Sequence, residues 1–298
     1  MKKFIQFIFF GNYFYGLCAA ALAVEASLQQ RIGLPHWSFF LFVFCATIWF
    51  YTESYRTEKP PATTNSRVLW YFHNRKSIAV SQFICIASVL LLFILFIAKD
   101  FQDVIGMKGL EYALFLVFPV VAFLYHGIRN RAVQFNLRQI GWLKPFVIGF
   151  SWAGLVTVYP LLYHQVVTHT NSFDLIYLFL FIKNFMFVAV LSIMFDIKDY
   201  ATDANLELKT FVVKNGLRHT IFIVLIPLIF IGWGSFILYG LLHHFSLMKI
   251  LLNTIPFAAT LLLAYRLQRR QSIFFYLVLI DGIMLLKAAC GIVAVSFF

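Results

Sequence analysis

Acidic residues are scarce in this chain: Asp and Glu number 12 among 298 residues, and charged residues of either sign make up only 12%. A soluble domain carries about 25% charged residues, so that class is excluded. Cysteine is equally sparse. Cys18, Cys45, Cys85 and Cys290 all fall in apolar segments without C-x-x-C spacing, which argues against a disulfide framework or a zinc site. No Gly/Ser-rich linker and no internal repeat divides the chain, so residues 1–298 read as a single integral membrane domain. What is present is apolar: 62% of residues are hydrophobic and 19% aromatic, with 37 Phe and a mean hydropathy of +0.85. The fold class is therefore all-α, a polytopic membrane protein embedded in a lipid bilayer. In that setting the net charge of +12 is read for topology, and no nucleic-acid partner is expected.

A bilayer core takes about 20 mostly apolar residues per helix. That ruler predicts nine transmembrane helices, at roughly 4–24, 37–55, 77–98, 110–126, 145–164, 174–195, 220–241, 246–265 and 272–296. Eighteen of the 24 Lys and Arg then lie at the N-terminus or in the loops after the second, fourth, sixth and eighth helices. Four lie in the other connections, and Lys183 and Lys287 fall within segments. The bias places the N-terminus in the cytoplasm and the C-terminus outside. The opening Met-Lys-Lys, apolar run and Ala21-Leu-Ala23 have the outline of a signal peptide. Tyr13, Phe14 and Tyr15 make it bulky and it is long enough to span, so a retained first helix is expected. This start, without a targeting segment, suits a bacterial inner membrane. The larger loops, about 56–76, 127–144 and 196–219, all face the cytoplasm on this reading.

The third of those loops opens with Asp196, Asp199 and Asp203, three of the few carboxylates within eight positions. Offsets of 0, 3 and 7 put them on one face if the sixth helix continues past the membrane. Like charges on one face repel, and a divalent cation completed by a phosphorylated ligand offsets them. The plainer reading is a solvated acidic loop paired with Lys198 and Lys209.

Beyond the aspartates runs Lys209-Thr210-Phe-Val-Val213-Lys-Asn-Gly216, and the fourth helix ends in Tyr125-His-Gly-Ile-Arg129. This combination resembles the UbiA-type intramembrane prenyltransferases, nine-helix proteins that join a polyprenyl diphosphate to an acceptor, usually an aromatic ring. Their aspartate motif after the sixth helix, with a Lys/Arg-Thr-x-x-Val-x-x-Gly tail, is matched in position and spacing by Asp199-x-x-x-Asp203 and the segment 209–216. Asp196 stands where many members have Asn or Asp, and Glu207 replaces a frequent glycine. Tyr125 and Arg129 resemble a Tyr-x-x-x-Lys element, Arg being suited to diphosphate because its fork bonds two oxygens. The first motif, Asn-Asp-x-x-Asp-x-x-x-Asp at the inner end of the second helix, is not matched: the corresponding positions are Glu53, Arg56 and Pro60.

The resemblance implies a UbiA-like bundle around a central cavity capped by the inner loops. It implies Mg²⁺ held by Asp196, Asp199 and Asp203, the last two catalytic, and diphosphate oxygens gripped by Tyr125, Arg129, Arg131 and Lys209. The expected activity is prenyl transfer from an isoprenoid diphosphate to a membrane-soluble acceptor at the cytoplasmic face. The alternative is a catalytically degenerate relative that binds an isoprenoid lipid or scaffolds other membrane enzymes. A third reading, a transporter working through Lys183 and Asp281, lacks the half-to-half symmetry such proteins show.

Lys183 and Asp281 lie inside apolar segments, where each costs about 2.5–3.5 kcal/mol if left facing lipid. They are expected to face the interior, paired with each other or, for Asp281, with Lys287. His164, His169, His243 and His244 read as solvent-facing, and Trp37, Trp70, Tyr71 and Trp142 as interfacial anchors.

Overall fold

The fold was analysed in a computed structural model that describes residues 2–55, 65–126, 128–130, 133–135, 140–170, 174–205 and 210–298. Thirteen helices account for nearly all of it. They are α1 (Lys2–Phe10), α2 (Tyr13–Gln29), α3 (Trp37–Glu53), α4 (Ser66–His73), α5 (Arg75–Lys99), α6 (Phe101–Ile105) and α7 (Gly109–His126). After these come α8 (Lys144–Thr168), α9 (Leu175–Asn205), α10 (Phe211–Asn215), α11 (Leu217–Leu242), α12 (Leu247–Arg266) and α13 (Phe275–Phe297). Strands of three residues, β1 (Ile128–Asn130) and β2 (Val133–Phe135), pair antiparallel after α7.

All nine apolar segments are helical. Six of the helices (α5, α8, α9, α11, α12 and α13) are long and apolar enough to cross a membrane. α1 and α2 join them as a seventh if the 54° bend between them lies within one span. The remaining two, Trp37–Glu53 and Gly109–Tyr125, are apolar but shorter.

The bend interrupts the expected first helix. It falls at Gly11 and Asn12, the latter at φ 65°, a left-handed value that Asn tolerates better than most residues. Breaking the helix there removes the partner of the Phe10 carbonyl, and α4 replaces it: Arg67 Nη2 donates to it at 3.2 Å and the Tyr71 hydroxyl at 2.7 Å. Asn12 completes the knot. Its Oδ1 accepts from Arg67 at 2.5 Å, while its Nδ2 donates to Thr52 Oγ1 at 3.0 Å and Tyr71 Oη at 2.9 Å. Tyr71 is thus a buried core residue rather than an interfacial anchor, and burial pushes its phenol up to about 12. Trp37 and Trp142, by contrast, are exposed as expected.

α8 packs along α9, and α13 lies between α2 and α12. Small residues set the closest approaches: a Cβ on Gly149 of α8 would stand 2.8 Å from the Phe185 carbonyl of α9. Helices that gain no hydrophobic drive from lipid associate through such close contacts. α8 and α11 each contain a π-helical turn, Gly154–Val158 and Thr220–Leu225, with Pro160 and Pro227 just beyond. Proline has no N–H and clashes with the carbonyl four residues back, so the ladder widens ahead of it.

The buried charges do not pair as the sequence led us to expect. Lys287 bonds Glu25 Oε2 at 2.5 Å, and Lys183 lies 3.8 Å from Glu25 Oε1 and donates to Gln29 Oε1 at 2.8 Å. Asp281 joins neither lysine. Glu25 was overlooked because it falls one residue beyond the expected first segment.

Candidate functional site

α9 runs straight through the aspartate motif, so Asp196, Asp199 and Asp203 do share one long helix. Their surroundings differ. Asp196 is fully buried, with its Oδ1 accepting from the ammonium of Lys144, the first residue of α8. Asp199, nearly one turn on, is partly exposed and lies 3.3 Å from Lys198 Nζ. Asp203 is placed by its backbone only, its side chain lying outside the described residues.

The motif's tail has a local structural role. The Thr210 hydroxyl caps α10 by accepting from the Val213 amide at 3.3 Å, as an N-cap Thr does. Gly216 ends that helix at φ 79°, ψ 156°, a region open essentially to Gly alone. Its carbonyl in turn accepts from the Thr220 hydroxyl at 2.9 Å. Thr210 and Gly216 are thus explained by the turn they build.

Beside Asp199 opens a cavity of about 1150 Å³, above the roughly 300–1,000 Å³ typical of small-molecule sites. α3, α7 and α8 line it along its length, joined by the second half of α5. One end carries Tyr55, Arg67, Lys144, Lys198, Asp199 and Asp281; the other carries Trp37, Lys99, Asp100 and Tyr112. Between them the wall is largely aromatic and aliphatic, with Phe42, Phe50, Phe93 and Phe118 prominent.

At the charged end Arg67 is only 3% exposed, its guanidinium centred 4.4 Å over the Tyr55 ring and its Nε without a hydrogen-bond partner among the described residues. Tyr55 stacks on Tyr71 at 4.9 Å, which holds that platform in place. Deeper in, Trp152 Nε1 donates to the Tyr51 hydroxyl at 2.6 Å, and Tyr51 stacks on Tyr15 at 4.8 Å. Asp281 lies 1% exposed at this end, with Oδ1 unpartnered among the described residues.

Of the residues the resemblance singled out, Tyr125 and Asp199 line the cavity, whereas Asp196 is turned to Lys144. Arg129 sits on β1 with its side chain outside the described residues, as are Arg131 and Lys209 altogether. The cations Arg67, Lys144 and Lys198 were missed as site residues. A signal existed for Arg67: it stands four residues before Tyr71 on α4, whose second half is aromatic, and that spacing puts both on one face. The four histidines form no metal site, and no three His, Cys, Asp or Glu among the described residues lie close enough to hold a metal. With Asp196 engaged by an ammonium, the described donors do not fit a three-carboxylate Mg²⁺ centre. No family model matches this chain, nor does any curated protein or solved structure.

Proposed function

We propose that this protein is a divergent UbiA-like prenyltransferase, with all nine apolar helices crossing the bilayer and the charged end of the cavity in the cytoplasm. The observation that carries the reading is one cavity, apolar along its length, ending at Arg67, Lys144 and Lys198. An isoprenoid diphosphate has the complementary form: a dianionic or trianionic head on a long hydrocarbon. Guanidinium and ammonium groups bond phosphate oxygens strongly where water is excluded. Aromatic faces such as Tyr51 and Phe50 favour the positive charge that develops at the allylic carbon as the diphosphate departs. Asp199 and Asp203 are the proposed catalytic carboxylates, and Tyr125, Arg129, Arg131 and Lys209 the further diphosphate contacts.

The test is binding of an isoprenoid diphosphate to the purified protein in detergent, with Mg²⁺ and then with EDTA, followed by transfer to membrane-extracted acceptors. With Asp196 held by Lys144, the expected result is micromolar binding and transfer that requires Mg²⁺ resting on two carboxylates, Asp199 and Asp203, both activities being lost in Asp199→Ala and Asp203→Ala. Full activity in both variants sinks the proposal. The pairing of Asp196 with Lys144, together with Arg56 and Pro60 in the first motif, favours a second reading. In that reading the chain binds an isoprenoid lipid or scaffolds other enzymes without turnover. Binding that is indifferent to Mg²⁺ and yields no product marks it.

A further inference from the structure

The length of the cavity specifies its occupant more closely than its chemistry does. On α8 the lining runs from Lys144 to Val166, which at 1.5 Å per residue is about 33 Å. On α3 it runs from Trp37 to Ser54, about 25 Å by the same rise. The cavity therefore extends through most of a hydrocarbon core about 30 Å thick. An isoprene unit advances by four chain bonds of about 1.5 Å in zigzag, about 5 Å in all. We infer that the site takes a long-chain isoprenoid diphosphate of five to six units, its tail laid lengthwise from Arg67 to the level of Trp37.

This deepens the proposed function and rests on it. A three-unit tail would end near Ala46, Phe118 and Leu155, midway along their helices, and leave half of an apolar chamber without contacts. The far end is where the chamber meets polar groups again, at Lys99 and Asp100, and a hydrocarbon gains nothing by going further. Ala46 is the place to obstruct the tail. It is the smallest side chain that α3 contributes to the lining, so a bulky residue there obstructs the tail halfway.

Photolabelling of the full-length protein in lipid nanodiscs decides the matter. Two diphosphate probes, of three and six isoprene units, carry a diazirine at the end of the tail. Light expels N₂, and the carbene inserts into the nearest C–H bond. The six-unit probe is expected to label peptides containing Trp37, Tyr112 or Val166 at least tenfold more than the three-unit probe, which labels around Ala46, Phe118 and Leu155. Ala46→Trp is expected to abolish the far-end label of the long probe. Should that variant fail to fold, the two probes on the unaltered protein still give the answer. Six-unit labelling confined to mid-cavity peptides, or shifted to the exposed face of α5 around Phe83, overturns the inference and leaves the proposed function standing. Absence of specific labelling by both probes overturns the two together.

Discussion

Glu25 accepts from Lys287 and Gln29 and draws in Lys183, so a single carboxylate ties α2 to α13 and α9. Two charges removed from water need each other, and deleting one partner of a buried pair costs about 3–5 kcal/mol. Glu25→Leu is therefore expected to lower the thermal midpoint in detergent sharply, and adding Lys287→Met to restore much of it. The Glu25/Lys287 double-mutant cycle should show coupling of about 1 kcal/mol or more, whereas Lys183 and Asp281 should act additively. Coupling between the latter two would contradict the described arrangement. The sequence announced that buried charges must be paired, but it held no rule for choosing partners, because four ionisable groups on three helices can be matched several ways. Gly216 is legible in a different manner. Only Gly adopts its backbone angles without strain, so Gly216→Ala should destabilise by about 1–3 kcal/mol even though a Cβ there meets nothing within 4 Å. Thermal unfolding of the two proteins side by side checks this, and an unchanged midpoint would refute it.

At the scale of elements, α8 and α9 form the backbone of the site because each supplies one half of the Lys144–Asp196 pair. Gly149 sets their separation. A β-branched residue there overpacks the seam at Phe185 and Ala189, and Gly149→Val should cost about 1–3 kcal/mol. It should also weaken isoprenoid diphosphate binding, since Lys144 sits one and a half turns away on the same helix. Unaltered binding and stability would show that the seam yields freely. The nine apolar segments were readable as helices from hydropathy alone, with ends within a few residues except at α1–α2 and α9, whereas the short α4, α6 and α10 were not. The first failed because a break between apolar residues leaves the hydropathy unchanged. The second ran ten residues longer than its apolar stretch because Asp196, Ile197 and Lys198 remain good helix positions once Lys144 neutralises the first of them.

Taken whole, the proposed nine-helix topology sorts the basic residues by side, and this can be checked directly. All four native cysteines are buried, so an introduced exposed cysteine reports against a silent background. Lys108→Cys and Asp174→Cys should react with a membrane-impermeant maleimide on intact cells, and Lys214→Cys and Arg269→Cys only after permeabilisation. Labelling of all four from one side would overturn the nine-helix topology. The cavity as a whole was not legible, because its wall draws residues from nine helices and no local pattern marks them.

The knot at the first bend carries a consequence for biogenesis. The Phe10 carbonyl waits for donors 57 and 61 residues further along the chain, and a bilayer offers it none in the meantime. While the ribosome has yet to deliver α4, the amino-terminal segment has no way to settle in its bent form. It must stay at the headgroup layer or insert straight and be remodelled later. The residues around the bend are in this sense among the last to reach their final place.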